Sequence, residues 1–475
     1  MNRLHLLKDN SLPLFGFIVS VSVMLLAARG DLWLDEIWSI YFAESAKTPW
    51  EIITRFRQSN NHLLNTFYLY LLGPQSNLFL YRLPAVLSGI GTIIVLFLAA
   101  RRWGTFDASA VVFLAGFSYP LINYFSEARG YAPAMFFSVL AFETLQRSLA
   151  RSNITNILLF WSACALGFLS HLTSVMIFLA LISLSVVYSA AGRASLKQTA
   201  STLLRYFAVP TAFLGAFYVV YFKKMIVGAG PDTTKMDVLF DTASLVLGFP
   251  DFRFLQIIAA ACVLCSIVAG AFLLYRKRRP EWIFFLVSLL IAPGLFVIIN
   301  HSNDLYFRYF IVCLPFYYLM LSHILGEWRR SGHLPKVIPV LLIAVFIVGH
   351  SYKTRELIRY GRGNYSRAVA DMAVATQGPI LKVSSDHDFR NKIILEFYTK
   401  RLPTEKILYY VSRERISMDT PDWFVVHSLD TQFRPYEKLA LRGFSEYNLF
   451  SEYRSSGLSG WNWYVYSKGK TGSSQ

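Results

Sequence analysis

Apolar stretches long enough to cross a lipid bilayer, parted by short polar turns, run from the start of the chain to about residue 350, and a mixed pattern follows. A bilayer core about 30 Å thick takes about 20 apolar residues of helix. By that measure the chain reads as eleven spans, at about 12–28, 80–100, 106–122, 131–149, 155–170, 173–191, 203–222, 254–275, 281–299, 309–326 and 336–350. No small-x-small cleavage site precedes Asp31, so the first span reads as a retained anchor. Two polar intervals are too long to be turns. Residues 29–78 predict one or two short helices lying in the interface, with Trp33, Trp38 and Trp50 as anchors. Residues 223–253 form the second, with Lys223, Lys224 and Gly228-Ala-Gly230-Pro231. Beyond 350, short apolar runs at Ile380-Leu-Lys-Val-Ser and Trp423-Phe-Val-Val-His read as strands. They alternate with helical patterns over 366–376 and 388–399, which predicts a small α/β domain at 351–475 with a frayed polar end from Lys468.

Composition sharpens this picture. Charged residues make up 16% of the 475, against about 25% in ordinary soluble chains. With 55% hydrophobic residues and a mean hydropathy of +0.42, a soluble globular protein is excluded. The net charge of +17 would suggest nucleic acid in a soluble chain, but here the cations gather in short loops between apolar runs. With the N-terminus in the cytoplasm, sixteen Lys and Arg residues fall in the inside segments, among them Arg101, Arg102, Arg147, Arg151 and Arg276 to Arg279. An odd number of spans then puts 351–475 outside, in the periplasm for a bacterial inner membrane. The four cysteines, Cys164, Cys262, Cys265 and Cys313, all lie in apolar runs, which argues against a disulfide framework or a zinc knuckle.

Ionisable groups beside a membrane are costly and tend to be functional. Several collect on the outside face. Asp35-Glu36 follows span 1, and such a carboxylate suits deprotonation of a hydroxyl; it equally suits the cap of a helix. Asn61-His62 lies about 25 residues on, before an apolar helix. Glu127-Ala-Arg129-Gly130-Tyr131 forms the turn between spans 3 and 4, where an Arg fork matches phosphate oxygens, or pairs internally with Glu127. His171 sits at the next outside turn, and Arg308-Tyr309 enters span 10. No Walker A sequence and no dinucleotide-binding glycine pattern is present, so a transferase of this kind needs a donor already activated. A polyprenyl phosphate sugar meets that need: its chain sits in lipid and its phosphate is a leaving group.

These residues resemble those of the GT-C glycosyltransferases, in the bacterial branch similar to protein O-mannosyltransferases and the lipid A aminoarabinose transferase. The likeness rests on Asp35-Glu36 in a large first outside loop, Asn61-His62, the Glu127-to-Tyr131 turn, and Arg308-Tyr309 ahead of Leu314-Pro315. It departs where many relatives carry His-Pro-Pro, since here Leu63-Leu64 follows His62. The resemblance implies a mostly α, polytopic fold of about eleven transmembrane helices with a small α/β extracytoplasmic domain. It implies single-displacement inversion at the anomeric carbon, with Asp35 as base and Glu36 orienting the acceptor or sharing the base's role. Arg129, helped by Lys223, Lys224 and Arg308, would hold the departing phosphate. Asn61, His62, Glu127, Tyr131, His171 and Tyr309 would complete the donor site. Some such enzymes hold a divalent metal near the active site and others need none; Asp35, Glu36 and His62 could supply ligands to one. The partners implied are a polyprenyl phosphate sugar, a glycan, lipid or protein acceptor, and membrane lipids, with no nucleic acid. A flippase for a lipid-linked sugar, or an oligosaccharide polymerase or ligase, are the alternatives.

Overall fold

Backbone in lipid must satisfy its own hydrogen bonds, so apolar runs of this length become helices. The computed structural model describes residues 3–228, 234–300, 305–332, 335–430, 433–441 and 445–468; Gly230-Pro231 and the polar end beyond Lys468 lie outside these. Helix α1 (Arg3–Ala27) is followed by three helices in the first long loop, α2 (Leu34–Ser45), α3 (Pro49–Thr54) and α4 (Leu63–Leu72). Next come α5 (Phe79–Arg101), α6 (Thr105–Phe117), α7 (Tyr119–Phe125), α8 (Tyr131–Ala150), α9 (Ile154–Ser170), α10 (Ser174–Ala191) and α11 (Leu196–Val220). Helix α12 (Lys235–Leu247) lies in the second long loop, ahead of α13 (Arg253–Arg276), α14 (Glu281–Leu286), α15 (Ala292–Ile299), α16 (Leu314–Ser331) and α17 (Ile338–Tyr360).

Each of the eleven expected spans falls on one helix or one broken helix. Seven helical segments are long and apolar enough to cross a membrane, and the bent pair α6–α7 makes an eighth. The other three are α9, the apolar Ser11–Ala27 part of α1, and α8, which carries Glu143 and Arg147. Span 106–122 is not straight: it bends by 67° at Ser118, where Pro120 starts a new helix in the first turn of α7. The last span also continues past its expected end, to Tyr360.

The chain divides into two compact units, and the division does not fall at residue 350. One comprises 1–28, 42–75 and 79–354; the other comprises 29–41, 76–78 and 355–475. In the helical unit, Phe142 packs on Phe284 and Phe316 with ring centroids 4.4 and 5.6 Å apart. The buried Asp107 is neutralised there by a two-pronged bond from Arg330, at 2.6 and 3.0 Å, so one of the inside-loop cations ties α6 to α16.

The second unit holds α18 (Tyr365–Ala375), α19 (Asp388–Thr399) and a six-stranded sheet. Its strands are β1 (Ile380–Ser385), β2 (Ile407–Tyr410), β3 (Trp423–Ser428), β4 (Lys438–Leu441), β5 (Ser445–Tyr453) and β6 (Asn462–Lys468), in the order β2-β1-β3-β6-β5-β4. β1 runs parallel to β2 and β3, and the remaining pairs are antiparallel. Two strands and both helices coincide with the sequence expectation. β2, β4, β5 and β6 were not expected.

Candidate active site

The acid pair belongs to the unit that carries the sheet. Three contacts shape its approach. The carboxylate of Asp31 accepts Ser366 N–H at 2.6 Å and Ser366 O–H at 2.8 Å, at the start of α18. Tyr398 O–H donates to the carbonyl of Leu32 at 2.9 Å. Trp33 is buried edge-on against Trp461, with centroids 6.3 Å apart. Trp33 is therefore a packing residue and not an interface anchor; Trp38 stacks on Phe389, and only Trp50 of the three is well exposed.

Asp35 and Glu36 enter the first turn of α2 with different surroundings. Glu36 is fully buried, and its Oε2 accepts the backbone N–H of Trp33 at 3.2 Å. That is the reach-back half of a capping box, a structural duty. Asp35 is partly buried, and what its own backbone carbonyl accepts is the hydroxyl of Ser39, at 3.1 Å.

In the helical unit, His62, Arg129, Tyr131 and His171 come together from three separate turns. Gly130 N–H donates to His62 Nδ1 at 2.7 Å, and Arg129 Nη2 lies 3.2 Å from His62 Nε2. The ring of His62 meets those of Tyr131 and His171 edge-on, each at 4.9 Å, and the Arg129 guanidinium lies 5.3 Å over Tyr131. His171 Nδ1 is 2.8 Å from the hydroxyl of Thr173. His62 and Arg129 are both buried.

A neutral imidazole has one lone pair, and two donors approach this one. The shorter contact, from Gly130 N–H, takes Nδ1. Nε2 then carries the proton and faces a guanidinium. Burial, then the charges of Arg129, His171 and Arg308, hold His62 well below the usual histidine pKa, so it stays neutral. Burial and the same two arginines push His171 down to about 3. The result is a dry cluster of N–H donors and positive charge, suited to receive anionic oxygen.

Gly130 earns its place by closeness and not by a special turn, for its φ is −77°. A Cβ there would stand 2.1 Å from the carbonyl oxygen of Ser170 and 2.8 Å from His62 Cβ. We expect Gly130→Ala to lower stability by at least the ~1–3 kcal/mol typical of overpacking, read as a drop in Tm of the detergent-solubilised protein. An unchanged Tm would mean that these three turns are not packed this tightly.

The remaining candidates are tied to this cluster to different degrees. Arg308 acts electrostatically on both histidines, and its guanidinium lies 4.7 Å over Tyr306. Tyr309 packs on Phe296 and Tyr306, each at 5.8 Å, away from the polar cluster's contacts. Glu127 is buried and accepts from Asn123 Nδ2 at 3.5 Å. Asn61 is a staple: its amide donates to the carbonyls of Ile52 and Phe56 at 2.8 and 2.7 Å and accepts Thr66 O–H at 2.8 Å. Lys223 and Lys224 are exposed and have no ion pair among the described residues. Their segment is clipped to the first loop instead, by Ile226 N–H to the Arg57 carbonyl at 2.7 Å.

One charged residue escaped sequence reading. Arg82 is wholly buried in the first turn of α5 and donates to the carbonyl of Ala28 at 3.1 Å. Its signal was a lone cation inside an expected span. His62 offers one nitrogen to Gly130 and turns the other to Arg129, and no three His, Cys, Asp or Glu side chains gather among the described residues.

No protein-family model and no curated protein matches this chain. Its fold is similar to that of ArnT from Cupriavidus metallidurans, the lipid A aminoarabinose transferase. Against the apo crystal structure the TM-score is 0.54 at 14% identity, over 95% of this chain and 97% of that one. Against ArnT bound to undecaprenyl phosphate it is 0.51 at 12% identity, over 98% of both chains. The likeness takes in both the apolar helices and the sheet-bearing end. From first helix to last strand, then, this is a multi-pass membrane protein with the GT-C fold.

Proposed function

We propose that this chain is an inverting membrane glycosyltransferase that takes a sugar from a polyprenyl phosphate donor and passes it to an acceptor hydroxyl on the periplasmic face. The observation that carries the reading is the buried donor cluster of His62, Arg129 and His171 on a GT-C fold. The acceptor's O–H proton goes to the Asp35 carboxylate as its oxygen attacks the anomeric carbon. The bond from that carbon to the phosphate oxygen breaks, and polyprenyl phosphate leaves with the electron pair. Negative charge on the leaving oxygen grows along this path, so N–H groups fixed around it stabilise the transition state more than the ground state. Arg129 and His62 Nε2–H supply those groups, with Arg308 contributing field.

The periplasmic assignment rests on the basic loops. The bound undecaprenyl phosphate of the ArnT crystal structure supports a donor of that chemistry. One experiment tests reaction and sidedness together. Sealed vesicles carrying the protein and a polyprenyl phosphate sugar receive a cell-envelope extract from outside. Right-side-out vesicles should release polyprenyl phosphate with sugar appearing on an acceptor, and inverted vesicles should not. Movement of intact donor across the bilayer without release would indicate a flippase instead.

A further inference from the structure

A second feature of the helical unit lies far from the cluster. Helix α8 starts at Tyr131 in the cluster and ends at Ala150, about 25–30 Å away by helical rise. Near that far end lies a cavity of about 240 Å³ among the ends of α5, α8, α10 and α14. Phe142 and Leu184 make it apolar on one side, Trp103 and Tyr188 give it aromatic walls, and Arg102, Arg279 and Glu281 bring charge. It sits at the level of the basic loops, where a bilayer's headgroups meet helix ends and where Trp and Tyr favour the interface.

The charges in this cavity are not all matched by the protein. Arg102 and Arg147 share a single carboxylate, that of Glu143. Arg279 is exposed and has no ion pair among the described residues. Glu281 Oε2 is shut off from solvent and accepts no hydrogen bond. A buried carboxylate oxygen left so is costly unless a donor arrives. Arg102 lies within the field of Glu281 but gives Oε2 no hydrogen bond, so the cavity lacks a donor at that oxygen and has a guanidinium to spare at Arg279. A ligand that carries both a primary ammonium and a phosphate supplies what each lacks.

We infer that this cavity binds the headgroup of an aminoethyl phospholipid, with its ammonium at Glu281, its phosphate at Arg279 and its glycerol end along the Phe142–Leu184 wall. A choline headgroup has no N–H to give Glu281, and a glycerol headgroup has no cation. A basic pocket between spans is a known way to hold lipid headgroups, and the carboxylate adds the selection for an amine. The inference does not depend on the transferase reading.

Native mass spectrometry of the full-length protein in detergent tests it, with short-chain phosphatidylethanolamine, phosphatidylcholine and phosphatidylglycerol titrated separately, and free phosphoethanolamine as the soluble arm. The ethanolamine lipid should bind at least about tenfold tighter than the other two, and Glu281→Gln should erase most of that margin. Arg279→Gln should weaken the ethanolamine and glycerol lipids together. Equal binding of all three lipids, or an intact preference in a folded Glu281→Gln protein, would overturn the site. Free phosphoethanolamine binding as tightly as the lipid would overturn the membrane source. Should Glu281→Gln not fold, stepwise N-methylation of the headgroup on the unaltered protein carries the test: affinity must fall as N–H groups are lost, and a flat series refutes it.

Discussion

Asp35→Asn is expected to keep donor binding and lose turnover by a factor of ~10²–10⁴, the usual cost of removing a general base. Asn nearly matches Asp in size, and the stretch that presents residue 35 is held by groups the substitution leaves alone. Those are Asp31 on Ser366, Tyr398 on the Leu32 carbonyl, and Trp33 against Trp461. What disappears is a site able to accept a proton. The neighbouring carboxylate is a poor substitute, since Glu36 is fully buried with an oxygen on the Trp33 N–H. Glu36→Gln keeps an acceptor oxygen for that bond, so its turnover should fall by about tenfold or less. The check is single-turnover release of polyprenyl phosphate beside calorimetric donor affinity. An Asp35→Asn protein above a few per cent of normal turnover at equal affinity would remove Asp35 as base. A dead Glu36→Gln protein beside a live Asp35→Asn one would move the role to Glu36.

The spans were legible because a lipid-facing helix announces itself by length and apolarity alone. What hydropathy does not record is direction. The run 106–122 reads as a single span, yet Pro120 restarts the helix and bends the path by 67°. α12 was hidden for a related reason: at 13 residues it is too short to span. In the sheet-bearing unit, β1 and β3 stood out as apolar runs, whereas β5 reads Ser-Glu-Tyr-Asn-Leu-Phe-Ser-Glu-Tyr. That strand owes its state to its partner β6 and not to its own composition.

At the site, residue types were legible and their duties were not. His62 and Arg129 stand 67 positions apart, and nothing local says that they touch. Asn61 and His62 are adjacent and share a motif, yet Asn61 closes the first loop while His62 enters the cluster. Lys223 and Lys224 looked like phosphate cations because charge is visible in a sequence and exposure is not. The grouping of Asp31 to Tyr41 with the sheet unit was the least legible feature. It is made by single contacts to Ser366, Tyr398 and Trp461, more than 300 residues away.

Arg129→Ala is the second large effect we expect, and its size follows from the dryness of its surroundings. A charge-assisted hydrogen bond to a leaving phosphate contributes ~1.5–3 kcal/mol, or about 10- to 150-fold in rate if it acts in the transition state alone. Arg129 is buried beside His62 and over Tyr131, where little water is present to take its place. The loss should therefore appear in kcat, with KM for donor moving less. A structural role predicts otherwise: Tm would fall and both constants would drift. Arg129→Lys separates the two readings further. Lysine restores the charge but not the planar fork, and its shorter reach gives one contact where the guanidinium offers two. Partial recovery of kcat, at a Tm equal to that of the Ala protein, is the expected pattern. If Arg129→Ala releases polyprenyl phosphate at the normal rate, the cluster is no phosphate site. His62 Nε2–H would then face a guanidinium for packing reasons alone, and the leaving group would have to be held elsewhere.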